Sequence, residues 1–317
     1  MGRVREWAER RGQRIRGHNP WVVAVRTANR FLEVRIMGLG AEMAYYALLS
    51  IIPLVATLGA AMGTLERVIG AAQVSQLEDL LVQSLERIFS PELTASVMEP
   101  LVRGLLAQER TGFAIGGLLV TFWFAGGAFR AATRALDEAY KVPERRGTLS
   151  QWVVAYGLTV GAVVGLVILL SLVVVGPLLG GGHAIAEWLG LGVLFQVAWV
   201  TVRWLVVGVG AIAYLVWVYR IAPNVRNGWR DCVPGAILAA VGTLLITVGF
   251  RFYLDFAGPA APELGDAGAA VQLVSQTIGA ILAAMLWIWL VSCVVLTGGV
   301  FNAELDRSRG VRRSTKA

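Results

Sequence analysis

The run WVVAYGLTVGAVVGLVILLSLVVVGPL, Trp152 to Leu178, carries no charged residue over 27 positions. At about 1.5 Å per residue, a helix of that length exceeds the roughly 30 Å hydrocarbon core of a bilayer. A soluble helix needs a charged or polar face, and this stretch has none, so it predicts a transmembrane helix. Five further long apolar runs flank it, four of them with a single charged residue: Met37 to Met62, Gly112 to Ala131, Val193 to Val218, Cys232 to Leu254 and Ala270 to Gly299. The composition agrees. Of 317 residues, 56% are hydrophobic and 15% charged, and the mean hydropathy is +0.66. A soluble domain carries about 25% charged residues, so too few are present to cover a globular surface. The ten-residue alternation of a transmembrane β-barrel is missing. The predicted fold class is an all-α integral membrane protein, a six-transmembrane-helix bundle.

Charge sets the orientation. The net charge is +7. In a soluble chain that would point to nucleic acid, but here 22 of the 28 basic residues fall on segment 1–36, the connections 130–150 and 219–230, and the tail after Gly299. By the positive-inside rule this face is cytoplasmic, both termini included. Nucleic acid is not an expected partner; membrane lipids are. The opposite face has four basic residues in 63–111 and Arg251, while Arg203 lies within the fourth span.

Three domains follow: a basic cytoplasmic and interfacial segment 1–36, a six-span membrane domain 37–301, and a basic tail 302–317. In 21–36 the apolar residues Trp21, Val22, Val25, Ala28, Phe31, Leu32 and Ile36 recur mostly at three or four, with Arg26, Arg30 and Arg35 between them. That pattern predicts an amphipathic helix on the cytoplasmic leaflet. Residues 63–111 repeat it, and Ser90-Pro91-Glu92 supplies a capping serine followed by proline at a helix start. A helical hairpin on the extracytoplasmic side is expected, either packed over the outer mouth of the bundle or covering lipid-exposed surface. The arginine-rich start holds no continuous apolar core before Asn19-Pro20, so no cleavable signal peptide is read there.

Glycine is placed on helix faces. The third span has Gly157, Gly161 and Gly165 at four-residue spacing, and the fifth has Gly235, Gly242 and Gly249 at seven. Such faces let helices approach closely in lipid, either for tight packing or as surfaces that slide during transport. Pro53 should kink the first span and free backbone carbonyls. Cys232 and Cys293 are expected as free thiols in a reducing cytoplasm.

The blocks AEMAYYALLSIIPL (Ala41 to Leu54), YRIAPNVRNGWRDCVPGAILAAV (Tyr219 to Val241) and LTGGVFNAEL (Leu296 to Leu305) occur in that order. Together they resemble the YihY/BrkB family of bacterial inner-membrane proteins, and the resemblance runs from about Phe31 to Glu304. The chain departs from the family pattern in two places. It reads GGVFNAE where the family has GAELNAE, with Val300 in place of a glutamate and Phe301 in place of a leucine. It also reads Ser275-Gln276-Thr277-Ile278-Gly279 where a Tyr-Gly pair is usual. The family has carried a ribonuclease BN label. Two distant histidines, His18 and His183, cannot supply the clustered ligands of a metal-dependent ribonuclease, so neither metal nor cofactor is expected.

Ionisable groups inside spans are functional candidates by default. Arg203 either snorkels outward or pairs structurally, or else it binds an anionic headgroup. Glu42, at a depth that keeps it from Arg203, shares a helix face with Tyr45 or Tyr46, then Ser50 or Pro53, as a hydrogen-bonding stripe or a pathway lining. Arg130, Arg220 and Trp229 mark the cytoplasmic face. Asn302 and Glu304 close the bundle there and are expected to meet Arg220, Arg226 or Arg230. With no phosphate loop and no nucleophile beside a base, the reading is a transporter or translocator of an anionic lipid or other amphiphile. A non-transporting envelope scaffold is the alternative, and an intramembrane enzyme ranks last.

Overall fold

The computed structural model describes residues 20–69, 111–142, 146–170, 193–257 and 269–310. They form seven α-helices: α1 (Pro20–Glu33), α2 (Ile36–Ile69), α3 (Thr111–Tyr140), α4 (Thr148–Leu170), α5 (Val193–Ile221), α6 (Trp229–Ala257) and α7 (Ala269–Ser308). No strand occurs among the described residues. The six helices from α2 to α7 each hold a stretch long and apolar enough to cross a membrane, so every predicted span corresponds to one helix. The protein is an all-α, multi-pass membrane protein. The predicted outer hairpin and the turn holding His183 lie outside the described residues.

Helix ends differ from the apolar runs in an instructive way. The second run stops at Ala131 because Arg130 and Arg134 interrupt it, yet α3 continues to Tyr140. Ala131, Ala132, Ala135, Leu136 and Ala139 are almost fully buried at helical spacing, which keeps the helix going after the charges begin. Likewise α7 runs past Gly299 to Ser308, through Asn302 and Glu304. The amphipathic segment forms α1, with Pro20 at its first position, where the missing N–H costs nothing. It ends at Glu33 rather than at Ile36. Arg35 takes a left-handed φ of 57°, and its carbonyl accepts the Gly38 and Leu39 N–H groups that begin α2.

The helices contribute to two compact units, one of Met1–Ala44, Gly126–Phe256 and Leu286–Ala317, the other of Tyr45–Ala125 and Ala257–Met285. In the first unit one cluster joins Val34 and Ile36 to Ala132, Ala135 and Ala139 of α3 and to Cys293, Leu296, Val300 and Ala303 of α7. Val300, where the family pattern has glutamate, is fully buried here, which suits an apolar side chain. A second cluster joins Leu136, Leu158, Val216, Tyr219, Cys232, Ala236 and Ala239 across α3 to α6. Large apolar residues such as Val167, Ile168, Leu244 and Leu245 are exposed, the pattern of a lipid-facing exterior.

Only half of the singled-out glycines lie at contacts. A methyl at Gly161 would strike the Trp217 ring, at Gly242 it would lie 2.7 Å from Val294 Cγ1, and at Gly235 it would strike the Gly298 carbonyl. Gly157, Gly165 and Gly249 have no described atom within 4 Å, so the two regular stripes are not continuous packing faces. The close approach instead pairs Gly235 of α6 with Gly298 of α7. In the second unit, Gly117 of α3 fits against Thr57 of α2, whose hydroxyl donates to the Pro53 carbonyl at 2.7 Å.

Candidate functional site

Helix carboxyl ends leave carbonyls without intrahelical partners, and in the first unit arginines satisfy those of α3 and α5. At the end of α3, Arg30 of α1 donates to the Glu138 carbonyl, while Arg307 of α7 donates to that of Ala139 at 2.9 Å. Lys141 then takes a left-handed φ of 55°. Its N–H reaches the Glu138 carbonyl and the Val142 N–H that of Asp137, closing a Schellman turn with lysine where glycine is usual. At the end of α5, Arg146 donates to the Ile221, Ala222 and Pro223 carbonyls at 3.3, 2.9 and 2.9 Å. Three of the basic residues, Arg30, Arg146 and Arg307, thus cap helix ends.

Two open cavities lie beside α1. The first, of about 220 Å³, is lined by Val22, Val25, Arg26, Asn29, Arg30 and Glu33 of α1, by Lys141, and by Glu304 and Arg307 of α7. Arg30 pairs with Glu33 at 2.6 Å and Arg307 with Glu304. The hydrogen bond from Arg30, aided by the charges of Arg30, Lys141 and Arg307, holds the Glu33 carboxyl below the usual glutamate range. The second cavity, of about 560 Å³, is lined by Glu33, Val34, Arg35, Gly38, Leu39, Glu42, Arg134 and Glu138. Within it Arg134 of α3 pairs with Glu42 of α2, both inside membrane-crossing stretches. The sequence reading missed Arg134 by treating it as part of a connection. The buried alanine spacing that carries α3 to Tyr140 was the available signal.

The remaining candidates are dispersed. Arg130 stacks over the Trp152 ring at 3.7 Å and Arg220 over that of Trp229 at 4.2 Å, cation–π pairs that fit anchoring. Arg203 is half-buried in α5 and its Nε has no hydrogen-bond partner among the described residues. Along α2, Tyr46, Ser50 and Pro53 are half-buried at helical spacing from Glu42, whereas Tyr45 is exposed and meets Tyr46 edge-on. The Ser50 hydroxyl donates to the Ala47 carbonyl.

Asn302 and Glu304 do not meet Arg220, Arg226 or Arg230. Glu304 pairs with Arg307 one turn on in α7, a spacing of three that favours this local partner. Asn302 is buried against α6. Its Oδ1 accepts the Gly235 N–H at 2.7 Å, and its Nδ2 donates to the Cys232 carbonyl at 3.1 Å. Those groups flank Pro234, which cannot supply an N–H to its own helix. Asp231 is instead 3.7 Å from Arg309.

A model of the family described as virulence factor BrkB matches residues 27–317. The chain is 27% identical to the ribonuclease-like protein YfkH of Bacillus subtilis (strain 168) over 272 residues, covering 85% of this chain and 90% of that protein. It is also 31% identical over 91 residues to the UPF0761 membrane protein Nmul_A0452 of Nitrosospira multiformis, covering 29% and 19% of the two chains. No solved structure matches.

Proposed function

We propose, for a chain that belongs to the virulence factor BrkB family, a transporter or translocator that moves an anionic lipid or similar amphiphile across the bacterial inner membrane. The observation that supports this reading most is the Glu42–Arg134 pair lining the 560 Å³ cavity. A charged group facing hydrocarbon costs at least a few kcal/mol, so a pair at this depth is favoured where a polar space receives it. An anionic headgroup entering that space offers Arg134 a second partner and competes with Glu42 for it. Tyr46, Ser50 and Pro53 extend the half-buried side of α2 beyond Glu42, and Arg203 offers a further cation on α5.

On this reading the basic end faces the cytoplasm. Cysteines introduced at 183–187 and 262–266 are expected to react with an impermeant thiol reagent from outside, and those at 144, 145 and 312 are not. Native Cys232 and Cys293 are buried and contribute little background. Reversed labelling would overturn the orientation.

Transport is tested in proteoliposomes with labelled anionic lipid. Glu42→Gln, Arg134→Gln and Arg203→Gln are each expected to slow translocation by about tenfold, the weight of one charge-assisted hydrogen bond, with folding retained. Wild-type protein that moves neither lipids nor small solutes under any ion gradient would favour the envelope scaffold instead. The three arginines committed to helix ends, Arg30, Arg146 and Arg307, suit a scaffold equally well. We read the chain as a non-enzyme. The Bacillus relative carries a ribonuclease-like name, but the two histidines of this sequence, His18 and His183, are too few and too far apart in it for the clustered ligands of a metal-dependent ribonuclease.

A further inference from the structure

We infer that the cavity of about 220 Å³ beside α1 is a binding site for the phosphate group of an anionic phospholipid. The inference deepens the translocator reading and rests on it only for the carrier of the phosphate, since such a site would also stand in a protein that moves nothing. Four cations, Arg26, Arg30, Lys141 and Arg307, face this space together with Glu33 and Glu304. Each carboxylate already has an arginine, Arg30 for Glu33 and Arg307 for Glu304. Arg26 and Lys141 have no ion-pair partner among the described residues. With Glu138 3.8 Å from Arg30 as a third carboxylate, four cations stand against three acids, and an anion would offset the remaining positive charge in this space.

The donors come from different directions. Arg26 lies on α1 and Lys141 follows α3. Arg30, whose side chain is only 8% exposed, lines the same space and has a buried Nε with no hydrogen-bond partner among the described residues. Lys141 is held at the cavity in a left-handed conformation that a side chain adopts only at a cost. A planar carboxylate is satisfied by one forked arginine, whereas donors on several sides match a tetrahedral phosphate. The carboxyl end of α3, which would otherwise repel an anion, is covered by Arg30 and Arg307 on its last carbonyls.

The flank of α1 argues for a lipid carrier. Its inward residues are Val23, Thr27 and Arg30, and its outward ones include Trp21 and Leu32, 47% and 59% exposed. An apolar stripe beside a phosphate-sized polar space suits a headgroup whose chains stay in the membrane.

Binding of short-chain phosphatidic acid, same-length phosphatidylcholine and inorganic phosphate to the purified full-length protein in detergent tests the site. Wild-type protein is expected to bind phosphatidic acid saturably and in preference to phosphatidylcholine. Arg26→Gln and Lys141→Gly should each weaken it by about tenfold and the double variant by about a hundredfold, while Arg251→Gln leaves it unchanged. Lys141→Gly preserves the left-handed turn, so an undiminished melting temperature alongside lost affinity separates binding from folding. Inorganic phosphate binding equally well, with the same losses, would overturn the lipid as carrier. Wild-type protein that binds no probe, or variants that bind as wild type does, would overturn the site. Protein that binds phosphatidic acid here yet moves no lipid in vesicles would remove the translocator reading and support the site.

Discussion

Gly298→Val is expected to destabilise the protein by about 3 kcal/mol, near the top of the usual range for overpacking a filled interior. A Cβ at Gly298 would lie 2.5 Å from the Gly235 carbonyl oxygen, 2.6 Å from the Tyr219 hydroxyl and 2.9 Å from Ala239 Cβ. Two of those neighbours cannot yield cheaply. The Gly235 carbonyl is backbone, and the Tyr219 hydroxyl, on a fully buried side chain, donates to the Val295 carbonyl at 2.5 Å. Relief would require α6 and α7 to separate, which would also stretch the bonds from Asn302 to Gly235 and Cys232. Gly249→Ala is the matched control. It has open space and should be neutral or mildly stabilising, since alanine favours helix by up to about 1 kcal/mol over glycine. Thermal unfolding of both variants in detergent, followed by loss of the monodisperse chromatographic peak, decides it. Equal tolerance at the two positions would mean that the contact between α6 and α7 is not tight.

Arg146→Met is expected to cost about 3 kcal/mol as well, for a different reason. One guanidinium serves three consecutive carbonyls, Ile221, Ala222 and Pro223, where the chain leaves α5. Ala222 to Val225 are buried, so water cannot replace the lost donors without opening the connection. The neighbouring bonds, Asn224 N–H to Asp137 Oδ1 at 2.5 Å and Asn227 Nδ2 to the Tyr219 carbonyl at 3.2 Å, hold the same turn. Protease cleavage within 222–228 should rise with the fall in melting temperature. Arg146→Lys should recover only part of the loss, because one ammonium cannot present the planar fork. A methionine variant with wild-type melting and cleavage would show that the connection holds without its cation.

What was legible in the residues varied with the kind of interaction. Six spans could be read because each depends on the sum of a local run, and the structure returns one helix for each. The segment after Ala131 was misjudged because hydropathy weighs Arg130 and Arg134 individually. The helix is kept going by Ala132, Ala135, Leu136 and Ala139 on its opposite, buried face. Glycine spacing marked candidate contacts but could not say which faces met. Gly235 and Gly242 met partners, whereas Gly249 on the same helix did not. The candidate site followed the same division. Glu42 stood out as an acid within a span, but its partner Arg134 is 92 positions away.

By itself, then, the sequence determined that the chain is a multi-pass helical membrane protein, where its spans lie and which ends carry the basic residues. These properties follow from transfer free energies summed residue by residue along the chain, so no knowledge of neighbouring helices is needed. Tertiary structure alone decided that Asn302 clamps α6 beside Pro234, that Arg146 caps α5, and that Arg30 and Arg307 converge on the end of α3. Those pairings depend on the rotation and axial register of each helix against another. In lipid, small residues and single polar groups fix both, and a few degrees of rotation exchange one partner for the next.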